Sequence, residues 1–435
     1  MFFILDLPPS FLYKRSSLSN GMPQLSERKE RLKDFEIVAK PNRRSSSIFI
    51  MVITLFIDAI GFGIIIPLMP FYTSDLRAGP AALGILLASF AFMQFFFAPI
   101  LGRWSDNIGR KPVLLVSIFA SALGYIIFGL ADSFLLLLIS RIIAGIATET
   151  AVAQAYIADI TTGEERASGM GKVNAAHGAG FIVGPAIGGF LAIYGYWAPG
   201  IASAFLTLIN LLFVAFFLPE SHRNQNANRK LEFDAGIIPG HKILDSMKKP
   251  VIGSVLVIHF VVFLAFSAIP VIVPLLGIAY FALGSLEMSY IFIYIGIIQI
   301  LLQATIIGRL SSKFGEVTLI VLGPLLMMLG IFLMPLFQSI TLFLAGLTMI
   351  ASGSGIMRTI VPSFLSRLSP ADEQGGILGI ASSVLSIATV PGPLIGGLLF
   401  EFAGTTAPFF GSSAILTIAL IFSFIVVRRY RYRQL

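Results

Sequence analysis

The sequence predicts an all-α membrane protein of 12 transmembrane helices, arranged as two six-helix bundles related by an internal parallel repeat. Three observations carry that prediction. Of the 435 residues 56% are apolar and only 12% charged, too little polar surface to clothe a soluble globule of this size. The apolar residues fall into runs that are each long enough to cross a bilayer. The chain also echoes itself: Leu101 to Val113 reads LGRWSDNIGRKPV, and Gly308 to Glu316 reads GRLSSKFGE, repeating Gly102, Arg103, Ser105 and Gly109 in place. Pro67 with Pro274, Gly145 with Gly353, and the GPxxGG run of Gly184 to Gly189 with that of Gly392 to Gly397 recur in the same order. The repeating unit is roughly two hundred residues.

In chain order, residues 1–45 form a polar N-terminal tail, expected on the cytoplasmic side. Its LSERKERLKDFEIV stretch fits an amphipathic helix on the membrane surface, although a solvated tail is the simpler expectation. The opening MFFILDLPPSFLY is short and Pro-broken, and no small-residue cleavage site follows it, so no secretory signal is expected; Met22 offers an alternative start. Apolar helices are expected near 46–72, 81–102, 112–131, 133–155, 170–192 and 197–218, which define a first bundle over 46–218. A polar link over 219–249 follows, and then helices near 250–277, 284–307, 317–336, 339–361, 376–399 and 408–427 form a second bundle over 250–427. Residues 428–435 make a short basic tail, also expected in the cytoplasm.

An even number of spans puts both termini on one side. With that side cytoplasmic, all of the 30 Lys and Arg except Arg77, Arg141 and Arg358 fall in inside segments, as the positive-inside rule requires. This also accounts for the net charge of +8 without nucleic acid as a partner. The absence of cysteine excludes a disulfide framework, thiolate metal sites and a Cys nucleophile. Each half enters and leaves on the same side, so the halves are related by an axis along the membrane normal, and the link permits one to rock against the other.

LGRWSDNIGRKPV resembles the loop signature between helices 2 and 3 of the major facilitator superfamily. Arg141 with Gly145 in the fourth span resembles that family's second motif. Gly180, Gly184, Pro185, Gly188 and Gly189 match the GxxxGPxxGG pattern associated with its proton-coupled exporters. VITLFIDAIGFGIIIPLMPFY, with LGILLASFAFMQFFFAPILGRWSDNIGRKPVLL, is similar to bacterial tetracycline and multidrug antiporters over most of the first half. Outside the loop echo and the GPxxGG run, the second half resembles them only loosely. The resemblance implies a drug:proton antiporter with 12 helices in the cell membrane, with the proton as coupling ion and neither cofactor nor metal. Where the tetracycline exporters place a His in helix 8 and an Asp in helix 9, this chain has Gln299 and Met327, so tetracycline itself is not the expected substrate.

Few residues can carry chemistry in such a chain. Asp58 lies near the membrane midplane, ~16 Å from the cytoplasmic face, where a carboxylate costs roughly 3 kcal/mol. Arg141 is expected at nearly the same depth, where the two could meet. Such a pair is either a permanent structural ion pair or a proton switch, in which burial favours the neutral acid and the guanidinium favours the carboxylate. The resemblance points to the same two positions. Glu149 returns to the helical face of Arg141 two turns on, as a second proton site, a counter-charge for a cationic substrate, or a structural partner. His177 is expected to be a buried neutral histidine bonded to a backbone group, though it is also a substrate-binding candidate. Gln299 and Gln303, at i and i+4, are cavity donors or interhelical hydrogen bonds. Gly180 with Gly184 and Gly392 with Pro393 allow close helix approach, and the prolines favour kinks.

Overlaying the repeats sets Arg110 against Glu316 and Asp159 against Arg367, so both charges reverse together. Contacts between 110 and 159 and between 316 and 367 are therefore expected, with Asp106 joining the first as part of a latch that holds the cytoplasmic side shut and borrows the N-terminus of the eleventh helix. Arg358 falls opposite Thr150 in the repeat and is expected to pair with Glu149 across the halves when that side closes.

The chain has no HExxH or GxSxG motif, and GMGK at Gly169 to Lys172 lacks the rest of a phosphate loop, so an enzyme is not expected. Duplicated halves, Gly-Pro breaks and midplane charges describe alternating access rather than a channel. The expected function is proton-coupled efflux of small amphipathic organic compounds by a monomer in the lipid bilayer, with proton-coupled uptake of a small metabolite as the alternative. A non-transporting membrane sensor with this fold is the reading from another class.

Overall fold

The structure, a computed structural model, describes residues 41–161, 163–221, 245–370 and 373–434. The amphipathic stretch, Met22 and most of the polar link lie outside the described residues. Among the described residues twelve helices are long and apolar enough to span a membrane: α1 Ser46–Asp75, α2 Pro80–Ile108, α3 Arg110–Gly129, α4 Phe134–Ile160, α5 Ser168–Tyr194, α6 Trp197–Phe217, α7 Pro250–Phe281, α8 Ser285–Phe314, α9 Glu316–Leu333, α10 Ile340–Leu368, α11 Gly376–Phe402 and α12 Ala407–Tyr430. Helices are what an apolar chain forms in lipid, where backbone groups find hydrogen bonds only within the segment.

The 101–113 stretch differs from the loop that its charges suggest. α2 stays helical through Ile108, Gly109 turns the chain at φ +113, and α3 starts at Arg110. Gly315, at φ +76, does the same between α8 and α9. A positive φ strains any residue with a Cβ, so glycine allows a turn of one residue here. The carboxylate of Glu220 caps the new helix, accepting from the Arg110 and Lys111 amides at 2.9 and 3.1 Å.

Several spans are broken. α4 comprises Phe134–Ile146 and Glu149–Ile160, with Ala147 and Thr148 out of helical geometry. α7 is divided at Ala268 and α11 at Val390, each just ahead of a proline. α8 widens to π-helix over Leu302–Ile306. In lipid, such breaks are tolerated where neighbouring protein takes up the freed groups; the Ser267 hydroxyl, for example, reaches the Ala388 carbonyl at 3.4 Å.

The Gly-Pro runs pack backbone on backbone. A Cβ at Gly180 would stand 2.6 Å from that of Ala59, and one at Gly184 2.7 Å from the Gly63 Cα, so α5 lies directly on α1. Gly188 sits against the Ile64 carbonyl. In the second half, Gly392 and Gly396 pack on Leu264 and Ala268 of α7 in the same way. The last glycine of each run points elsewhere. Gly189 faces Ser289 on α8, and Gly397 faces Gly84 on α2, so each run ends in a contact between the halves. Pro393 takes part as well, its carbonyl lying 2.6 Å from a Cβ at Gly84.

The halves therefore meet at the end away from Gly109 and Gly315. There the Glu401 carboxylate of α11 accepts from the Ala81 amide at the start of α2, at 2.7 Å. Toward the glycine turns both helix pairs part. On α5 and α8, Gly171 and Gly308 have nothing within 4 Å of a Cβ, nor do Gly102 on α2 or Gly376 and Gly379 on α11. The cavity is closed at one end and open at the turn end.

Both predicted charge contacts at the turn end are formed. Arg110 Nε donates to Asp159 at 2.8 Å, its Nη2 lies 2.6 Å from Asp106, and its Nη1 donates to Ser105 Oγ at 2.6 Å. Glu316 pairs with Arg367 and accepts from Ser363 at 2.6 Å. The latch expectation needs correction, however, because these contacts are present while the turn end is open. Asp106, Arg110 and Asp159 belong to α2, α3 and α4, so the cluster fastens a corner within the first half instead of joining the halves. Gly102 and Gly308 likewise bridge nothing across the opening.

Two outcomes follow. Gly184→Val should destabilise the first half by about 1–3 kcal/mol through overpacking, read as a lower melting temperature. Gly397→Val should instead loosen the closed end, lengthening the distance between spin labels on cysteines introduced at Ala82 and Phe402; an unchanged distance would contradict the assigned contact. At the corner, Arg110→Gln should cost about 1 kcal/mol, since it removes a buried guanidinium from two carboxylates of which Asp106 is more than half exposed. Swapping Arg110→Asp with Asp159→Arg should recover less stability than swapping Glu316→Arg with Arg367→Glu, because the carboxylate introduced at position 110 faces Asp106.

Candidate functional site

Asp58 lies on α1 between two polar clasps from α6. Asn210 donates to the Thr54 carbonyl and Ser203 to the Gly61 carbonyl, each at 3.2 Å, which fixes the α1 backbone one turn to either side of the carboxyl group. The Tyr125 ring of α3 fills the space beside Gly61, 3.1 Å from where a Cβ would be. On the same helix, one turn before Tyr125, Ser121 donates to Glu149 of α4. The stretch of α1 that carries Asp58 and the Glu149 carboxyl group thus both pack on α3.

Arg141 does not pair with Asp58, contrary to the expectation that the two meet. Its guanidinium lies over the Phe128 ring at 5.1 Å and the Tyr125 ring at 5.9 Å, and Nη1 and Nη2 are buried with no hydrogen-bond partner. The packing of α4 explains this. A Cβ at Gly124 would lie 3.0 Å from the Ser140 carbonyl, so this face of α4 is pressed onto α3 and its arginine lies among the α3 aromatics. Gly145, from the same motif, is a packing residue whose Cβ would meet the Phe90 carbonyl of α2 at 2.6 Å.

Glu149 also departs from the expected helical register. Because α4 breaks at Ala147 and Thr148, Glu149 opens a new helical segment instead of continuing the face of Arg141. It is 4% exposed and accepts from Ser121 Oγ at 2.7 Å. Glu149 and Arg358 do not pair in this open-turn-end arrangement.

Arg358 instead lies over Phe263 at 5.2 Å and Phe266 at 5.5 Å, both on α7. Gln299 donates to Ser354 Oγ at 3.2 Å, and Gln303 approaches the neighbouring Gly355. Gln299 is thus an interhelical hydrogen bond, whereas Gln303 is exposed. His177 stacks on Phe181 with centroids 5.5 Å apart and has no backbone hydrogen bond among the described residues, which corrects that expectation. Phe181 continues through Phe62 at 5.5 Å to Phe90.

Sequence reasoning missed His259, 4% exposed and edge-on to Phe263 with centroids 4.9 Å apart. Its four-residue spacing from Phe263 is a signal that could have found it. Ser121, Tyr125 and Phe128 carry no such signal, because nothing in α3 says which residues face α4.

The profile of the Major Facilitator Superfamily matches residues 51–305 and 255–434. The chain is 30% identical over 368 residues to the tetracycline resistance protein, class C, of Escherichia coli, covering 84% of this chain and 92% of the relative. To multidrug resistance protein 2 of Bacillus subtilis it is 29% identical over 366 residues, covering 83% and 90%. The crystal structure of the human organic anion transporter MFSD10 superposes with a TM-score of 0.67 at 22% identity, covering 88% of this chain and 100% of that one. With twelve spanning helices, a repeated Gly-Pro architecture and relatives aligned along both halves, this multi-pass membrane protein belongs to the Major Facilitator Superfamily of small-molecule transporters.

Proposed function

We propose that the chain is a proton-coupled exporter of small amphipathic organic compounds, acting as a monomer in the cell membrane with both termini cytoplasmic. The single observation that carries this reading is the placement of Asp58 and Glu149: two carboxyl groups inside the membrane, with a guanidinium bonded to neither. An intramembrane carboxyl group is by default a candidate proton site, and a guanidinium brought alongside it would favour release of the proton. Arg141, whose Nη1 and Nη2 carry no hydrogen bond and whose Nε reaches only the neighbouring Ser140 Oγ at 3.3 Å, is the group free to do this. The names of the relatives, tetracycline and multidrug resistance proteins, support export, and the distribution of Lys and Arg supports a cytoplasmic turn end. In that orientation the cavity opens to the cytoplasm, where an exporter takes up its load.

Alternating access follows from the two ends. The contacts of Glu401, Gly189 and Gly397 release, the turn end closes, and the load faces outward. In that second arrangement Glu149 and Arg358 are free to approach each other and pair. The division proposed with this reading is a tail over 1–45, a first bundle over 46–218, a link over 219–249, a second bundle over 250–427 and a tail over 428–435.

Asp58→Asn should retain substrate binding and abolish transport driven by a pH gradient in proteoliposomes. Undiminished pH-driven transport by this variant would overturn proton coupling at Asp58. Glu149→Gln should reduce the protons released per substrate bound while leaving the fold intact, as measured with a pH-sensitive dye under weak buffering.

A further inference from the structure

Arg358 is the one basic residue inside the second-half spans away from their ends. It lies on α10 about ten residues from the turn end, ~15 Å into the membrane, surrounded by protein yet open to water as a cavity residue is. A charge at that depth demands compensation. Among the described residues its own half has none to offer: Glu287, Glu316, Glu373 and Glu401 all fall at or beyond helix ends. Across the cavity, Glu149 is engaged by Ser121. Among the described residues no carboxylate pairs with Arg358. The faces of Phe263 and Phe266 offset only part of the lost hydration.

The groups around this cation are of a consistent kind. Gln303 on α8 offers an exposed amide. The His259 imidazole lies against the same Phe263 ring that Arg358 covers, and its Nδ1 is buried with no partner; the His177 imidazole is presented from the first half, beside Phe181. Hydrogen-bond donors and a fixed positive charge thus converge with no acid among them. Next to them run two ring clusters, His259–Phe263–Phe266 and His177–Phe181–Phe62–Phe90. A planar guanidinium with adjacent donors suits a carboxylate or sulfonate, and the rings suit a flat apolar body.

We infer that Arg358, with Gln303 and the two imidazoles, is the anion subsite of the transport cavity, and that the compounds carried include organic anions with a carboxylate or sulfonate on an aromatic body. The inference rests on the transport reading above and adds the charge of the load. It assigns the two halves different tasks, with the carboxyl groups of the first half handling the proton and the cation of the second half seating the substrate.

A matched pair of probes tests it. 1-Anilinonaphthalene-8-sulfonate and N-phenyl-1-naphthylamine share one ring body and differ by the sulfonate. Their binding to the full chain in lipid nanodiscs, without a gradient and corrected for empty nanodiscs, reads the subsite directly. Arg358→Gln should weaken the sulfonate by about tenfold or more, the scale of a lost charged hydrogen bond, and shift the neutral probe by less than about twofold. Arg358→Lys should retain most of the sulfonate affinity, and unchanged neutral-probe binding shows that the variants are folded. Equal weakening of both probes, no weakening of either, or wild-type protein that binds the sulfonate no better than empty nanodiscs would each overturn the subsite. The transport reading is measured separately, by pH-driven movement of ethidium in proteoliposomes; its failure alongside Arg358-dependent sulfonate binding would count against proton-driven export and not against the subsite.

Discussion

Hydrocarbon neither donates nor accepts a hydrogen bond, and this constraint shapes the whole molecule. It makes each span a helix and removes the usual hydrophobic drive for helices to associate, leaving close packing as the main attraction between them. Glycines therefore stand where α5 lies on α1 and where α11 lies on α7. The same constraint makes each break conspicuous. Ala147 with Thr148, Ala268 and Val390 interrupt helices, and the break in α4 is what turns Glu149 toward Ser121.

Interior charge divides the molecule where the backbone repeats it. The two halves share their turns, their Gly-Pro runs and their corner ion pairs, down to a reversal of sign between Arg110–Asp159 and Glu316–Arg367. Deep in the membrane they differ. The first half holds Asp58 and Glu149 with Arg141 laid on aromatic rings, whereas the second holds Arg358 without a carboxylate. In a medium that screens poorly, a lone group of either sign is a strong local field. A duplicated scaffold has thus come to carry unlike interior charges in its two halves.

The closed end is held by modest contacts: a carboxylate on one amide, and glycines fitted against backbone and a serine. A reversible closure requires contacts of this size, because a stronger seal would trap one arrangement. The stronger charge clusters lie within a half, where they keep each bundle rigid while it moves.

Much of this was legible in the sequence. Apolar run lengths located all twelve spans, with the second, fourth, eighth and tenth running about one to two turns longer at the turn end than expected, and the repeat located both turns, because span length and glycine turns are local properties. The sign reversal even identified the 110–159 and 316–367 contacts, since like charges could not have been left facing each other. What only the tertiary structure decided was the direction in which interior side chains point. Arg141 and Asp58 share a depth but not a face, Glu149 left its expected face when α4 broke, and His177 chose a ring over a carbonyl. Depth follows from counting residues along one helix, but orientation depends on how neighbouring helices pack, and that is settled by contacts between residues far apart in the chain.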